Sequence, residues 1–232
     1  MLPIAILAGG LATRLGGITK NTPKSMIVIN GKPFIHWQLE LLAKHKITEV
    51  VLCVAHLSEQ IVDFVGDGSR WGVNVKYSED GHSKLGTGGA LLKALPLLNE
   101  NFGVLYGDSF LLADYKEISN AFIKFNTRCL MTVFKNSGLN EKSNIHFFDK
   151  KIVRYDKNDS NMDMQYIDFG LLYFNKSAFL EKDFGPSFDI SLLLRYMISL
   201  GHVDGLEVYN RYYQIGSLLG IKELSEFLKG GV

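Results

Sequence analysis

Cysteine is scarce in this chain of 232 residues, which contains two, Cys53 and Cys129. Each lies in a short apolar stretch, so we predict two free, buried thiols rather than a disulfide or a cysteine metal site. The six histidines are scattered without the spacing of metal ligands, and we predict that none binds a metal. Free thiols suit a reducing compartment, and we expect a cytoplasmic location.

The sequence also lacks an excess of charge and a long apolar run. Its formal net charge is +1, whereas a face that binds nucleic acid usually makes the total clearly basic, so we expect no nucleic-acid partner. No apolar run reaches the roughly 20 residues needed to cross a bilayer, and no basic segment precedes the apolar stretch Leu2–Ala8. We therefore expect neither a membrane span nor a signal peptide. A local group of Lys and Arg would still allow a small anionic ligand.

The residues that are present are typical of a globular protein with a sizeable core. Hydrophobic residues make up 47% of the chain and charged residues 21%. Linkers, repeats and low-complexity segments are absent from the sequence, so we predict one domain over residues 1–232. A division near Asp114 is the alternative.

Short apolar runs alternate with amphipathic segments in the first half of the chain. Ile4–Ala8, Val50–Val54, Val73–Tyr77 and Phe102–Tyr106 are predicted strands, and Phe34–Leu42 has the apolar spacing of a helix. This alternation predicts an α/β fold with a Rossmann-like, mixed but mostly parallel sheet and helices on both faces. The second half is more varied, with these predicted strands and helices: Cys129–Lys135, Asn144–Phe148, Ile152–Tyr155 and Ile167–Phe174, then Asp189–Leu200 and Leu218–Leu228.

Ligands of such sheets bind beyond the carboxyl ends of the strands. In this sequence that rule selects the segments after Ala8, after Tyr77 and after Tyr106. We therefore expect the ligand-binding residues in these three places.

The first segment places Gly9 and Gly10 directly after a strand. Glycines let the backbone approach a ligand and turn N–H groups toward it, which suits a phosphate. Arg14 and Lys24 follow and add cationic donors. An ordinary strand-to-helix turn with solvated basic residues is the alternative. The G-x-G-x-x-G spacing of a dinucleotide site and the G-K-[ST] of a Walker A loop are absent, which excludes those two motifs.

The other segments are ambiguous when each is taken alone. Gly86 and Thr87 lie where a loop leads into a helix through small residues. Small residues would let the backbone pack against the flat face of a base, and an ordinary glycine-rich helix start is the alternative. Asp108 follows a strand, where a carboxylate can hold Mg²⁺ at the entrance of a ligand site. The alternative is that Asp108 is the N-cap of the next segment. Lys157 and Asp168, considered singly, would be solvated charges.

Taken together, and in the order in which they occur along the chain, these segments resemble those of the sugar-phosphate nucleotidyltransferase family. The hallmark of that family is L-A-G-G-x-G-T-R-L followed by P-K, then L-G-T-x-G-A, a G-D pair at a strand end and a late I-G motif. The resemblance extends from Ile4 to about Leu224, and the ordered set is highly specific. The short form resembles bacterial muramate-phosphate uridylyltransferases and heptose- or mannose-phosphate guanylyltransferases, and residues 66–72 look most like the muramate branch.

The resemblance implies a role for each matching residue. Arg14 and Lys24 would bind the phosphates of the NTP and Asp108 would bind Mg²⁺, which makes these three the expected catalytic residues. The implied nucleotide-binding set is Leu7, Ala8, Gly9, Gly10, Thr13, Arg14, Lys24, Gly86 and Thr87.

The same resemblance assigns the acceptor side of the site. Lys157 would hold the sugar phosphate, and Asp168 and Gly170 would touch the sugar. Residues 1–114 would form the nucleotide-binding half and residues 115–232 the sugar-phosphate-binding half. The implied fold is that of nucleotide-diphospho-sugar transferases, which is GT-A-like.

The chain departs from the family pattern at four positions. Ala12 replaces a glycine, Lys84 stands where proline is common, and Asp156 replaces the usual glutamate. Gln214 stands where the family places an acidic second metal ligand, and an amide oxygen is a poorer partner for Mg²⁺ than a carboxylate. Mg²⁺ remains the expected cofactor, held at least by Asp108.

The resemblance thus predicts Mg²⁺-dependent transfer of a nucleotidyl group from an NTP to a sugar 1-phosphate, for surface polysaccharide or cell-wall metabolism. The expected partners are these two substrates, with self-association into a homo-oligomer left open. One alternative is a cytidylyltransferase for a phosphorylated alcohol such as phosphocholine. The other is an inactive relative that binds a nucleotide or nucleotide sugar, for which Gln214 is the only support.

Overall fold

A computed structural model describes residues 1–10, 21–81, 84–138, 142–157 and 163–230. The strands in these ranges are β1 (Ile4–Leu7), β2 (Val28–Ile29), β3 (Lys32–Pro33), β4 (Glu49–Val54), β5 (Asn74–Glu79), β6 (Asn101–Tyr106), β7 (Ser109–Leu111), β8 (Cys129–Lys135), β9 (Ile145–Phe148), β10 (Lys151–Tyr155), β11 (Tyr166–Asn175), β12 (Val203–Val208) and β13 (Tyr212–Gln214). The α-helices are α1 (Phe34–Lys44), α2 (Ser58–Val65), α3 (Gly86–Ala94), α4 (Tyr115–Phe125), α5 (Ile190–Ser199) and α6 (Leu218–Lys229).

Nine strands form the main sheet, in the order β5-β4-β1-β6-β11-β8-β12-β10-β9. The central strands are apolar along their whole length because they have neighbours on both sides and are covered on both surfaces. In β11, for example, every residue from Ile167 to Phe174 is buried. The predicted strands of both halves are thereby confirmed to within one or two residues at their ends.

The sheet is parallel in its first half and mixed beyond it. β1 pairs in parallel with β4 and β6, and β4 pairs in parallel with β5. β11 then runs antiparallel to both β6 and β8, so it reverses the direction of the chain in the middle of the sheet. β12 pairs in parallel with β8, and β10 runs antiparallel to both β12 and β9. Seven of the nine strands of this sheet therefore share one direction, and β11 and β10 run against it, so the expectation of a mixed, mostly parallel sheet holds. The sequence did not identify these two strands as the reversed ones. The reason is that an apolar run indicates burial but does not indicate the direction of the strand.

Two clusters of buried side chains lie against the main sheet, and residues of one strand alternate between them. In β1, Ala5 belongs to one cluster, whereas Ile4 and Ile6 belong to the other. The first cluster includes residues of α3 and α5, and the second includes residues of α1, α2 and α4. α4 is fixed at its start by Asp114, whose side chain accepts a hydrogen bond from the Glu117 N–H group.

A third cluster surrounds the two-stranded pair of β7 and β13, next to the carboxyl end of β6. It joins Phe110 and Tyr213 of that pair to residues of α1 and α6. The backbone N–H group of Ile215 donates to the carbonyl of Asp108 at 3.0 Å. This small pair therefore anchors the turn that follows β6.

Both cysteines are free and buried, as predicted. Burial raises the pKa of the Cys53 thiol to about 12, so the thiol stays protonated at neutral pH. Across the described ranges, the helices are all too short or too polar to cross a bilayer.

Candidate functional site

A cleft of about 260 Å³ lies at the carboxyl ends of β1 and β6. This is the edge that the strand-end rule selects. The lining residues are Leu7, Ala8, Gly10, Lys24, Thr87, Tyr106, Gly107, Asp108, Lys157 and Ile190. The cleft thus brings together seven of the residues predicted from the sequence, which come from five separate segments of the chain. The described residues 78–81, which follow Tyr77, are not among the lining residues.

Lys24 and Asp108 form an ion pair inside this cleft. The Lys24 Nζ and Asp108 Oδ2 atoms are 2.6 Å apart, and the two side chains are 17% and 32% exposed. Asp108 Oδ1 also accepts from the Ser109 hydroxyl at 3.3 Å. Pro23 precedes Lys24, which begins a short 3₁₀ helix ending at Met26. The sequence predicted both residues at the site but not their direct contact.

Two glycines allow β1, β4 and β6 to meet closely at the cleft. A Cβ atom at Gly107 would collide with the backbone carbonyl of Leu7, so the turn after β6 can pass β1 only without a side chain. A Cβ atom at Gly9 would lie 2.9 Å from the Cβ atom of Ala55. Gly9 therefore serves chain packing behind the cleft, whereas the backbone of Gly10 faces the cleft itself.

The loop that leads into α3 is held by the segment before α5. The Thr87 hydroxyl donates to Asp189 Oδ2 at 3.1 Å and accepts from the Ile190 N–H group at 2.8 Å. The N–H groups of Gly88 and Gly89 both donate to the Phe188 carbonyl. These two N–H groups at the start of α3 are therefore already hydrogen-bonded within the protein, and their bonds fix the shape of the loop.

The surroundings of Asp189 lower the pKa of its carboxyl group below the ordinary value. Burial alone would raise the pKa of its carboxyl group, but hydrogen bonds from Ser191 and Thr87 and the charge of Lys157 outweigh burial and lower that pKa. Asp189 also begins α5 as its N-cap. It lies some hundred residues from Thr87 in the sequence, so no local pattern could have linked the two.

Asp168 lies beneath the cleft as a buried hydrogen-bond acceptor. Its side chain is 6% exposed, and its Oδ2 atom accepts from the hydroxyls of Tyr106 at 2.7 Å and Tyr155 at 3.3 Å. Its Oδ1 atom accepts from the Gly170 N–H group at 3.0 Å. Burial raises the pKa of Asp168, and the hydrogen bond from Tyr106 and the charge of Lys157 act against that rise.

Lys157 lies above the two tyrosines that Asp168 holds. Its Nζ atom is 5.8 Å from the centre of the Tyr106 ring and 5.7 Å from that of Tyr155. This range suits a cation–π contact. Lys157 is itself exposed and lines the cleft, so its ammonium group is available to an anion.

Several residues of the site were not assigned a role from the sequence, among them Tyr106, Gly107 and Ile190, which line the cleft, and Tyr155, which lies against Lys157. Tyr106 directly precedes the Gly107-Asp108 pair, and its place at the end of a strand was a usable signal. Ile190 lines the cleft and Tyr155 supports Lys157 only because distant elements pack together.

Gln214 is the last residue of β13, the strand that pairs with β7. It is opposite Ser109 in the pairing of β13 with β7. A Cβ atom at Gly216 would lie 3.6 Å from Lys24 Nζ, so the same segment borders the lysine. Gly170, predicted to touch the sugar, has a φ of +96° and packs against Ser109. Gly86 has a φ of +72° and packs against the Phe188 carbonyl rather than lining the cleft.

Thr13 and Arg14 fall outside the described residues, as does the position of Ala12. Among the residues that are described, no group of three or more His, Cys, Asp or Glu side chains could hold a metal ion. Asp108 is the carboxylate that lines the cleft.

Comparisons with known proteins agree on one family. The sequence profile described as nucleotidyl transferase matches residues 4–182. N-acetylmuramate alpha-1-phosphate uridylyltransferase of Neisseria meningitidis serogroup B is 43% identical over 104 residues, or 44% of this chain and 45% of that protein. D-glycero-alpha-D-manno-heptose 1-phosphate guanylyltransferase of Campylobacter jejuni is 41% identical over 113 residues, or 49% of this chain and 50% of that protein. The matched part of the chain spans about half the length of these relatives.

A solved structure agrees over nearly the whole chain. HddC from Yersinia pseudotuberculosis, complexed with GMP-PN, superposes with a TM-score of 0.84 and covers 98% of this chain and 100% of that one. Its sequence identity of 22% restricts the inference to the fold. An α/β fold with a mixed sheet is thereby confirmed.

Proposed function

Because this chain belongs to the nucleotidyl transferase family, we propose that it transfers a nucleotidyl group from an NTP to a sugar 1-phosphate and releases pyrophosphate. The observation that supports this most is the cleft at the carboxyl ends of β1 and β6. It contains two lysines, Lys24 and Lys157, and one carboxylate, Asp108. Two cations at separate points suit a reaction between two phosphate-bearing substrates.

The reaction needs positioning and charge stabilisation more than proton transfer. A sugar phosphate is largely dianionic at neutral pH because its second pKa is about 6, so it needs no general base. Its oxygen forms a bond to the α-phosphorus of the NTP, while the bond from that phosphorus to the bridging oxygen breaks. The electron pair leaves with pyrophosphate. The protein must hold the two groups in line and stabilise the developing charge.

We assign the NTP phosphates to Lys24 and Arg14, and the acceptor phosphate to Lys157. Lys24 is paired with Asp108 at 2.6 Å, so phosphate oxygens would compete with that carboxylate for the ammonium group. Lys157 is exposed above the rings of Tyr106 and Tyr155 and would meet the acceptor there. Asp168, which holds both tyrosines by hydrogen bonds, would act on the sugar side through them.

The donor atoms at the cleft fit Mg²⁺. This ion keeps several waters and binds proteins through one or two carboxylates together with substrate phosphates, so a cage of protein ligands is not required. Asp108 would hold it, with the Gln214 amide oxygen beside it as a neutral donor. Bound there, Mg²⁺ would neutralise charge on the phosphates.

We further propose the finer features that the resemblance implies. These are a Rossmann-like, GT-A-like arrangement with helices on both faces, supported by the two buried clusters against the sheet. They also include a cytoplasmic location and a role in surface polysaccharide or cell-wall metabolism. The nucleotide would occupy the side of residues 1–114 and the sugar phosphate the side of residues 115–232.

The test is pyrophosphate release with Mg²⁺, in which the four NTPs and dTTP are crossed against a panel of sugar 1-phosphates and phosphocholine. We expect release with one nucleotide and one sugar 1-phosphate. Release with phosphocholine and CTP alone would assign the chain to the phosphorylated-alcohol alternative. If no substrate pair releases pyrophosphate but the protein still binds a nucleotide without Mg²⁺, the result would support an inactive binding protein.

Two variants connect the reaction to the cleft. Asp108→Asn and Lys24→Ala should each lower turnover at least about 100-fold, because each removes a charge that acts on the phosphates. Asp63→Asn and Lys116→Ala make the same changes at exposed positions on α2 and α4 and should leave turnover unchanged. Full activity of either cleft variant would overturn the assigned roles.

A further inference from the structure

Gln38 is a buried amide that reaches the turn carrying Asp108. It lies on α1, is 1% exposed and is remote from Asp108 in the sequence. Its Nε2 group donates to the Tyr106 carbonyl at 3.2 Å and to the Ser109 carbonyl at 2.9 Å. Both partners are carbonyl oxygens, which only accept, so the orientation of the amide is fixed by its contacts.

These two carbonyls lie on either side of the Gly107-Asp108 pair. One side-chain group therefore spans the turn and holds its two ends at a set separation. Gly107 passes too close to β1 to move inward, and the Ile215 N–H group holds the Asp108 carbonyl from the other side. Gln38 adds a further support, from α1.

The hydrogen-bond pattern of Gln38 indicates that its amide serves as a donor rather than as an acceptor. Among the described residues, Gln38 Oε1 has no hydrogen-bond partner, although it is buried. A buried acceptor without a partner is costly. An apolar side chain of the same length would fill the space without that cost, but it would remove the Nε2 donor from the two carbonyls of the turn.

We infer that Gln38 is a positioning residue, which fixes the Asp108 carboxylate in the cleft by bridging the carbonyls of Tyr106 and Ser109. This inference rests on the proposed function for its kinetic consequence, but the structural consequence does not depend on that function. Substituting a residue that orients a ligating or reacting side chain often lowers activity about 10- to 100-fold, because small displacements of the reacting atoms slow the reaction.

The chain offers a matched control next to Gln38. Trp37 lies on the same helix, and its Nε1–H group also donates to a backbone carbonyl, that of Ile29 at 3.0 Å. Ile29 belongs to β2 and does not line the cleft. Gln38→Met and Trp37→Phe therefore each remove side-chain hydrogen bonding from α1, but only the first affects the turn of Asp108.

We would measure kcat and KM for the active substrate pair, together with amide hydrogen exchange of residues 106–111. Gln38→Met should lower kcat about 10- to 100-fold with KM for the sugar phosphate changed less than about threefold, and exchange of 106–111 should become faster. Trp37→Phe should leave both unchanged. If Gln38→Met does not fold, Gln38→Asn replaces it, because its shorter amide cannot reach both carbonyls.

A wild-type kcat in a folded Gln38 variant, or unchanged exchange of residues 106–111, would overturn the inference. If the wild-type protein itself releases no pyrophosphate, the proposed function fails. The exchange measurement then still decides whether Gln38 fixes the turn, since it requires no substrate. The two failures are therefore distinguishable.

Discussion

The Lys24 ammonium and the Asp108 carboxylate form an ion pair, and the proposed reaction would use the same two groups to bind phosphate and Mg²⁺. Gln214 pairs with Ser109, the residue after Asp108, and stands where the resembled family has an acidic residue. An amide oxygen binds Mg²⁺ more weakly than a carboxylate does. Under the proposed function, Mg²⁺ binding would thus depend more on Asp108 and on substrate phosphates than it would in a site with two carboxylates.

This leads to a prediction for Gln214→Glu, a change that keeps the side-chain length. The Mg²⁺ concentration that gives half-maximal pyrophosphate release should fall, by about tenfold, because the second donor becomes charged. A titration of activity with Mg²⁺ measures it, and Gln214→Leu is the matched neutral control. An unchanged midpoint in the glutamate variant would show that this residue does not face the ion.

Asp168 gives a prediction about pH. Burial raises its pKa above the ordinary value of 3.8, so the folded protein holds this proton more tightly than the unfolded chain. The stability from that proton is complete below pH 3.8 and is lost as pH rises through the raised pKa. Each pKa unit between the folded and unfolded states corresponds to about 1.4 kcal/mol.

Asp168→Asn cannot titrate and should lack this pH dependence. The free energy of unfolding of the wild-type protein should therefore fall relative to that of the variant as pH rises from about 4. Urea unfolding of both proteins across this pH range measures the difference. Parallel curves would mean that Asp168 has the same pKa in the folded and unfolded states.

At the scale of elements, the cleft depends on how closely the turn after β6 passes β1. Gly107 is required there because any side chain would meet the Leu7 carbonyl. Gly107→Ala should lower the free energy of unfolding by about 1–3 kcal/mol, the usual cost of overpacking. It should also lower turnover, since Asp108 follows directly.

Gly10→Ala is the matched control in the neighbouring loop. Among the residues that the structure describes, a Cβ atom at Gly10 would meet nothing within 4 Å, so the effect of Gly10→Ala on stability should stay within about 0.5 kcal/mol. Urea unfolding of the two variants side by side tests the pair. Equal losses at both positions would contradict the close approach of β6 to β1.

The element scale also shows what periodicity can predict. The runs that became β1, β4 and β6 were recognisable because buried central strands are continuously apolar. β7 and β13 have three residues each, and β2 and β3 have two, which is too short for a repeating pattern. Yet β7 and β13 hold the Asp108 turn. The sequence analysis predicted none of these four short strands, and it also missed the 11-residue helix α4.

At the scale of the whole molecule, β11 connects the two halves. It pairs with β6 of the first half and with β8 of the second, and the third buried cluster joins α1 to α6. We predict that residues 1–114 and 115–232 unfold together. Separate unfolding would break the pairing in the centre of the sheet.

The two tryptophans provide the measurement, since Trp37 and Trp71 both lie in the first half. Their fluorescence reports on residues 1–114, whereas far-ultraviolet circular dichroism reports on the whole chain. The two urea transitions should coincide, as expected for a two-state protein. A fluorescence transition displaced from the dichroism transition would favour the division near Asp114.

The sequence by itself determined the buried strands, the helices α1, α5 and α6, the free thiols, and the placing of Asp108 after a strand end. It did so because burial and turns leave local patterns, and because parallel strands bring their carboxyl ends to one edge.

Only the tertiary structure decided which distant groups meet. It reversed β11 within the sheet, placed Asp168 under Tyr106 and Tyr155, and brought Gln38 to the carbonyls around Asp108. Strand direction and long-range hydrogen bonds depend on the path of the chain between elements. That path leaves no periodic pattern in the residues it connects.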